Sequence, residues 1–430
     1  MKARQFPSWI AAGLCAVCVN TASAGDLFVG SAIDSPSGHD CSAVSPCSLR
    51  EALTLAHFSA SDTRILVSAP QVQLTTTLTI LNDPARVDII GTLAVPTRIY
   101  GTTGGRVMRI TNARIGLRNL DIENGIGGVS IGVSPPGIST LDLVSVVFKN
   151  NNAFNAGSDR DGGGLKSVNA AVTMQSVTFD NNVGILGGGA FISGGSVRIE
   201  DCSFHGNHAS SAGGLLVQDA ATTIERSTFD GNAANDLAGG IYLSLNNRPL
   251  LASNLTIANN AVNGAPTLNA GGLLLAYSNA TANQGRIDNL TMSGNMFSSS
   301  GTGGSLVVAN AIAGGISDMR IDNSIVQGIC APGTSILGSH DIESPGNTCA
   351  LDPLTSQVAV SSAQLALGLL GDNGGPNLTQ EPAAGSVAID AGLACETVDQ
   401  RGFARNVGAC DVGAVEVGAM AVVFADGFDN

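Results

Sequence analysis

Through the middle of the chain, apolar and polar residues alternate in short runs that break at polar corners. Val172/Met174 then Val177/Phe179, Val197/Ile199 then Cys202/Phe204, and Thr222/Ile224 then Ser227/Phe229 repeat one scheme. A period of two over runs this short predicts strands, not helices. Gly163-Gly164, Gly188-Gly189, Gly213-Gly214 and Gly239-Gly240 punctuate the runs 25, 25 and 26 residues apart. Phe179-x-x-Asn182, Phe204-x-x-Asn207 and Phe229-x-x-Asn232 keep the same step. Three short strands per repeat of about 25 residues predict stacked coils. The expected fold is all-β: a right-handed parallel β-helix with a short N-terminal capping helix and a C-terminal cap region.

Stacking gives the repeated residues physical roles. Coils lie about 4.8 Å apart, so equivalent side chains fall into ladders. Phe148, Phe179, Phe204 and Phe229 form an expected internal column. Asn151, Asn182, Asn207 and Asn232 are expected at a bend, with amides bonded along the stack. The Gly pairs supply either a positive φ or a close backbone approach. Later coils drift, with Ile257-x-x-Asn260, Met292-x-x-Asn295, Gly271-Gly272 and Gly303-Gly304. Their extra residues, such as Asn263 to Asn269, are expected to bulge outward as loops where a ligand would bind. Cys202 takes the place of Val177, Leu255 and Leu290 and reads as a buried inert thiol.

The ends of such a stack need caps. Ser48 followed by Glu51 is a capping box, and Leu49, Ala52, Leu53 and Ala56 share one helical face. Ser48, Leu49, Glu51 and Leu53 therefore mark an expected N-terminal plugging helix. Ahead of it, Lys2 and Arg4, an apolar stretch from Trp9 to Val19 and Ala22-Ser23-Ala24 predict a cleaved secretory signal peptide over 1–24. The expected divisions are 25–100 for the N-terminal cap and first coils, 101–330 for the repeats, 331–417 for a C-terminal region, and 418–430 for a tail.

Composition narrows the partners. The net charge of −14 argues against nucleic acid, and it makes a polyanion an awkward ligand unless a cation bridges the two. Cys41/Cys47, Cys330/Cys349 and Cys395/Cys410 form close pairs expected as structural disulfides after export, although spacing alone leaves connectivity open. No hydrophobic span is expected in the mature chain, which is read as an extracellular or outer-surface monomer.

Three resemblances sharpen this. Gly188-Gly189-Ala190-Phe191 and the Phe-x-x-Asn units resemble the repeats of chlamydial polymorphic outer-membrane proteins over roughly Gly127 to Asn295. Cys47-Ser48-Leu49-Arg50-Glu51-Ala52 resembles the name-giving motif of the CSLREA domain. Gly371-Asp372-Asn373-Gly374-Gly375-Pro376, Asp399-Gln400-Arg401-Gly402 and Gly408-Ala409-Cys410-Asp411 resemble the choice-of-anchor Q type C-terminal region. These resemblances imply an exported bacterial surface or extracellular protein, without defining an activity.

Candidate chemistry is sparse. Asp159-Arg160-Asp161 with Lys166 and Asp180 is the best cluster for uronate lyase chemistry, although a turn of solvated charges explains Asp159 to Asp161 as well. Carboxylate pairs for glycoside hydrolysis are available among Asp180, Glu200, Asp201, Glu225 and Asp230, but stacking places acids near acids automatically. His205 and His208 lack a clearly spaced third zinc ligand. No catalytic residue and no cofactor are assigned; Asp372-Asn373 is a candidate calcium position. The expected function is non-catalytic adhesion or glycan and matrix interaction, the alternative a polysaccharide lyase or glycoside hydrolase acting on one face.

Overall fold

The computed structural model describes residues 25–420 except 36–37, 60, 84, 102–104, 136, 156, 247, 265–267, 278–284, 298–301, 311–318, 333 and 335. The expected signal peptide over 1–24, part of the expected Asn263 to Asn269 loop and tail residues 421–430 lie outside the described residues. Strands pair in parallel from coil to coil in two sheets. The larger sheet bends into a first face, such as Ser196–Glu200, and a second, such as Ser203–His205. In later coils these fuse into single strands such as Ala221–Asp230 and Leu250–Ala258. The other sheet carries the third face, such as Ala190–Ser193.

A coil has four strand segments where the pattern predicts three. The fourth, such as Val183–Leu186 or His208–Ser211, lies between the Asn bend and the Gly pair. It escapes the pattern because it has no shared alternation to read: Val-Gly-Ile-Leu in one coil is followed by His-Ala-Ser-Ser in the next. The expected glycine roles resolve in the same way. Cβ atoms on Gly188 and Gly189 would sit 2.5 and 2.6 Å from the carbonyls of Gly213 and Gly214. Close approach is the constraint there. Positive φ falls one residue earlier at Gly162, Gly187 and even Ala212, and two residues earlier at Leu237.

The core is the set of predicted ladders. Phe148, Phe179, Phe204 and Phe229 stack with centroids 4.9, 4.5 and 4.5 Å apart. Asn151, Asn182, Asn207, Asn232, Asn260 and Asn295 form a buried amide ladder. Cys202 is free and buried, and burial pushes its thiol up to about 12.

The N-terminal helix Leu49–His57 carries a capping box: Ser48 Oγ accepts from Glu51 N, and Glu51 Oε2 accepts from Ser48 N. Leu49, Ala52 and Ala56 are buried in the core, and Leu53 packs partly against it. Arg50 bonds Asp34 Oδ2 and the Thr76 and Thr77 carbonyls, tying the helix to the first coils. Disulfides join Cys41–Cys47, Cys330–Cys349 and Cys395–Cys410.

The C-terminal region does more than close the end. Ile336, Cys349 and Leu351 join the main core, while the chain beyond folds back along the outside of the second face. Outward Thr228 and Thr256 hold Gln400 between them, at 2.7 and 2.6 Å. Thr228 donates to Leu378 O, and Ala414 N donates to Thr291. Asn254, Asn289 and Asn323 occupy positive-φ corners and donate to Val398, Gly413 and Leu393 carbonyls. Ile325, Ile342, Val360, Leu365, Ala388 and Val412 form a second, outer core beneath this strap.

Candidate functional site

The charged cluster at 159–166 is built around a residue that the repeat pattern does not reveal. In regular coils, six positions separate the ladder Asn from the Gly pair, as in Asn182 to Gly188; from Asn151 to Gly163 there are twelve. The extra residues form a loop that carries Phe154, Asp159, Arg160 and Asp161. Beneath it, Arg106 rises from an earlier coil with its side chain fully enclosed. Its Nε donates to Asp159 Oδ2 at 2.9 Å and Nη1 to Gly162 O at 2.8 Å, while Nη2 reaches the Asp159 and Asp161 carbonyls. The path crosses Gly127, at φ +83°, where a Cβ would sit 2.8 Å from Arg106 Nη1. Glycine at 127 is thus what lets one coil clamp the loop of another.

Around the Asp159 carboxylate converge Arg106, Arg109 at 3.1 Å and Lys166 at 2.8 Å; Lys166 also lies 3.3 Å from Asp161. Asp159 is therefore not the solvated turn residue expected from sequence. Burial raises its pKa, but Arg106 and Lys166 outweigh burial and hold it at about 2. The sign follows: a depressed carboxyl stabilises the fold above its ordinary 3.8, and that stability is lost as pH falls through about 2. Acidification from about pH 5 to pH 2 should weaken the loop by about 2 kcal/mol. Protease cleavage within 152–161 is the measurement, and equal resistance at both pH values would contradict the pairing.

Asp180 does not join this cluster. It lies on the second face, 3.2 Å from Lys149, and shares a ladder with His205 and Asp230. His205 Nδ1 is 2.7 Å from Asp230 Oδ2, an interaction that raises the imidazole pKa against the opposing effect of burial. His208 begins the next strand segment. Glu200, Asp201 and Glu225 surround Arg226 and Arg198 on the first face. Among the described residues, no three His, Cys, Asp or Glu side chains group to hold a metal. Asp372 accepts from Gly374 N, and Asn373 donates to Thr379, so both serve a turn.

A carboxylate pair missed by sequence reasoning lies on the second face, before the strap begins. Asp121 and Glu123 alternate on strand Arg114–Glu123 and point outward beside Arg98 and Lys149. Glu123 pairs with Arg98, whereas Asp121 Oδ1 is buried without a hydrogen-bond partner. Burial, then Glu123, push Asp121 up to about 6. Two residues of strand separate the pair by about 7 Å.

Residues 165–349 match the family model described as "Right handed beta helix region". No curated protein matches the sequence. Among solved structures, the Dettilon tailspike protein (gp208) is similar at TM-score 0.44 and 11% identity, over 72% of this chain and 64% of that chain. This chain thus spans less than two thirds of the tailspike. Pectate lyase Pel9A is similar at TM-score 0.43 and 13% identity, over 90% of this chain and 96% of that one. Among the described residues, no helix is long and apolar enough to cross a membrane. The parallel coil-to-coil pairing and the family match together make this chain a right-handed parallel β-helix protein.

Proposed function

We propose that the protein is an exported, non-catalytic β-helix that holds a glycan or matrix polymer against an exposed sheet face, outside the cell or on its surface. The supporting observation is the divided use of one outward ladder. From Thr228 through Thr256 to Thr291 it grips the chain's own C-terminal segment by hydroxyl hydrogen bonds. The same ladder continues before the strap as Thr178 and Ser203, which remain partly exposed. Lys149, Asp180 and His205 run beside it. A row of polar groups suits a hydroxyl-rich polymer better than the apolar centre of a protein interface. Three disulfides suit an oxidising compartment.

Most candidate acids are engaged in ion pairs, which favours binding over turnover. Asp121 and Glu123 favour a second reading, glycoside hydrolysis, because a raised carboxyl stands beside one paired with Arg98 at outward strand positions about 7 Å apart. Purified protein incubated with uronate and neutral glycans, with and without calcium, separates the two. Binding without product is expected. Product formation abolished by Asp121→Asn would replace the proposal with hydrolysis, and product lost on Lys166→Ala or Asp161→Ala would replace it with lyase chemistry. Absence of both binding and product would reject the glycan reading.

A further inference from the structure

Resting on that glycan-binding reading, we infer that the loop residues Phe154, Asp159, Arg160 and Asp161 and the adjacent edge of the third face form a subsite for an anionic sugar, one carrying a carboxylate or sulfate. The sequence carries −14 overall, yet this loop region gathers Arg106, Arg109, Arg160 and Lys166 against Asp159 and Asp161. Arg109 and Lys166 stand on one outward ladder with Ser130 between them. The small serine leaves the space that Asp159 occupies while touching both cations. Asp159 holds the two side chains toward each other, so a ligand need not order them; preorganisation of this kind lowers the entropic cost of binding.

The two carboxylates do not cancel the cations. Arg106 is enclosed and neutralises Asp159 from below, so the outward excess falls to Arg109, Lys166 and Arg160. Arg109 is half-exposed, its side chain 52% accessible. Arg160 donates through Nε to Phe154 O and lies 4.6 Å from the Phe154 ring centroid. Phe154 itself is 44% exposed. A guanidinium held over an exposed ring offers a planar donor for an anion beside an apolar surface for a sugar ring. The bridging cation demanded by overall charge is thereby replaced with side chains at one place.

The test compares polygalacturonate, dextran sulfate and unmodified dextran by isothermal titration at two ionic strengths. Polyanion binding that weakens with salt is expected, with dextran clearly weaker. Arg109→Gln and Arg160→Gln, both at partly exposed positions, should each weaken polyanion binding about tenfold, the size of one charge-assisted hydrogen bond. Circular dichroism of each variant establishes that the fold is retained. Comparing the two polyanions identifies carboxylate or sulfate as the preferred group. Dextran binding equal to that of the polyanions, or unchanged polyanion affinity in both variants, would overturn the subsite while leaving the general glycan reading intact. No binding of any of the three would overturn both.

Discussion

Replacing Asn207 with Ala should destabilise the central coils by about 3–5 kcal/mol. Its Oδ1 accepts from Asn182 N at 2.9 Å and from Asn182 Nδ2 at 3.0 Å. Its Nδ2 donates to Phe179 O and to Asn232 Oδ1, each at 2.9 Å. All of these groups are buried, so no water can stand in for the lost amide. The substitution strands the Asn182 N–H and one N–H of Asn182 Nδ2, and each buried unsatisfied group costs about 1–3 kcal/mol. Asn207→Asp should not rescue it, because a carboxylate oxygen in place of Nδ2 would face two acceptors. Hydrogen exchange at 179–207, alongside urea unfolding, measures the effect; coils interact mainly with their neighbours, so protection should fall there first. A loss below about 1 kcal/mol, with protection intact, would mean the ladder is not what holds the bend.

The same ladder shows why so much of the fold is legible in sequence. Asn207 and Phe204 recur at the coil step because each must meet its equivalent above and below. Repetition in space therefore becomes repetition in sequence. Interactions that occur once have no such signature. Arg106 meets Asp159, 53 residues away, at a single irregular coil, and the only written trace is the doubled spacing from Asn151 to Gly163. The strap is hidden for a related reason. Asn254, Asn289 and Asn323 are visible as polar corner residues, but nothing local says that their amides meet carbonyls from 393–413. Asp121 is hidden differently: its strand alternation looks ordinary, and its raised pKa depends on burial that one sequence does not encode. The sequence pattern also groups Asp180 with Lys166, whereas the coil turns a corner between them and sends the two to different faces.

Arg106→Met should release the loop at 152–161 and cost about 3 kcal/mol, the low end for breaking a buried ion pair. Met keeps much of the buried volume, so the loss reports charge and hydrogen bonding more than a cavity. Asp159 retains Arg109 and Lys166, which is why the cost stays at the low end. What has no substitute is the fork of donors to Gly162 O and to the Asp159 and Asp161 carbonyls. With Arg106 gone, the Asp159 pKa should move up from about 2 toward its ordinary range, because burial then meets less opposing charge. Limited proteolysis within 152–161 and the Asp159 titration followed by NMR read the two effects separately. Arg106→Lys supplies the decisive comparison. A lysine restores the charge but not the planar fork, so it should recover much of the depressed pKa and little of the protease resistance. If Arg106→Lys restored both, simple charge would explain the site; if Arg106→Met changed neither, the loop must be held by other contacts and the clamp across Gly127 would be without consequence.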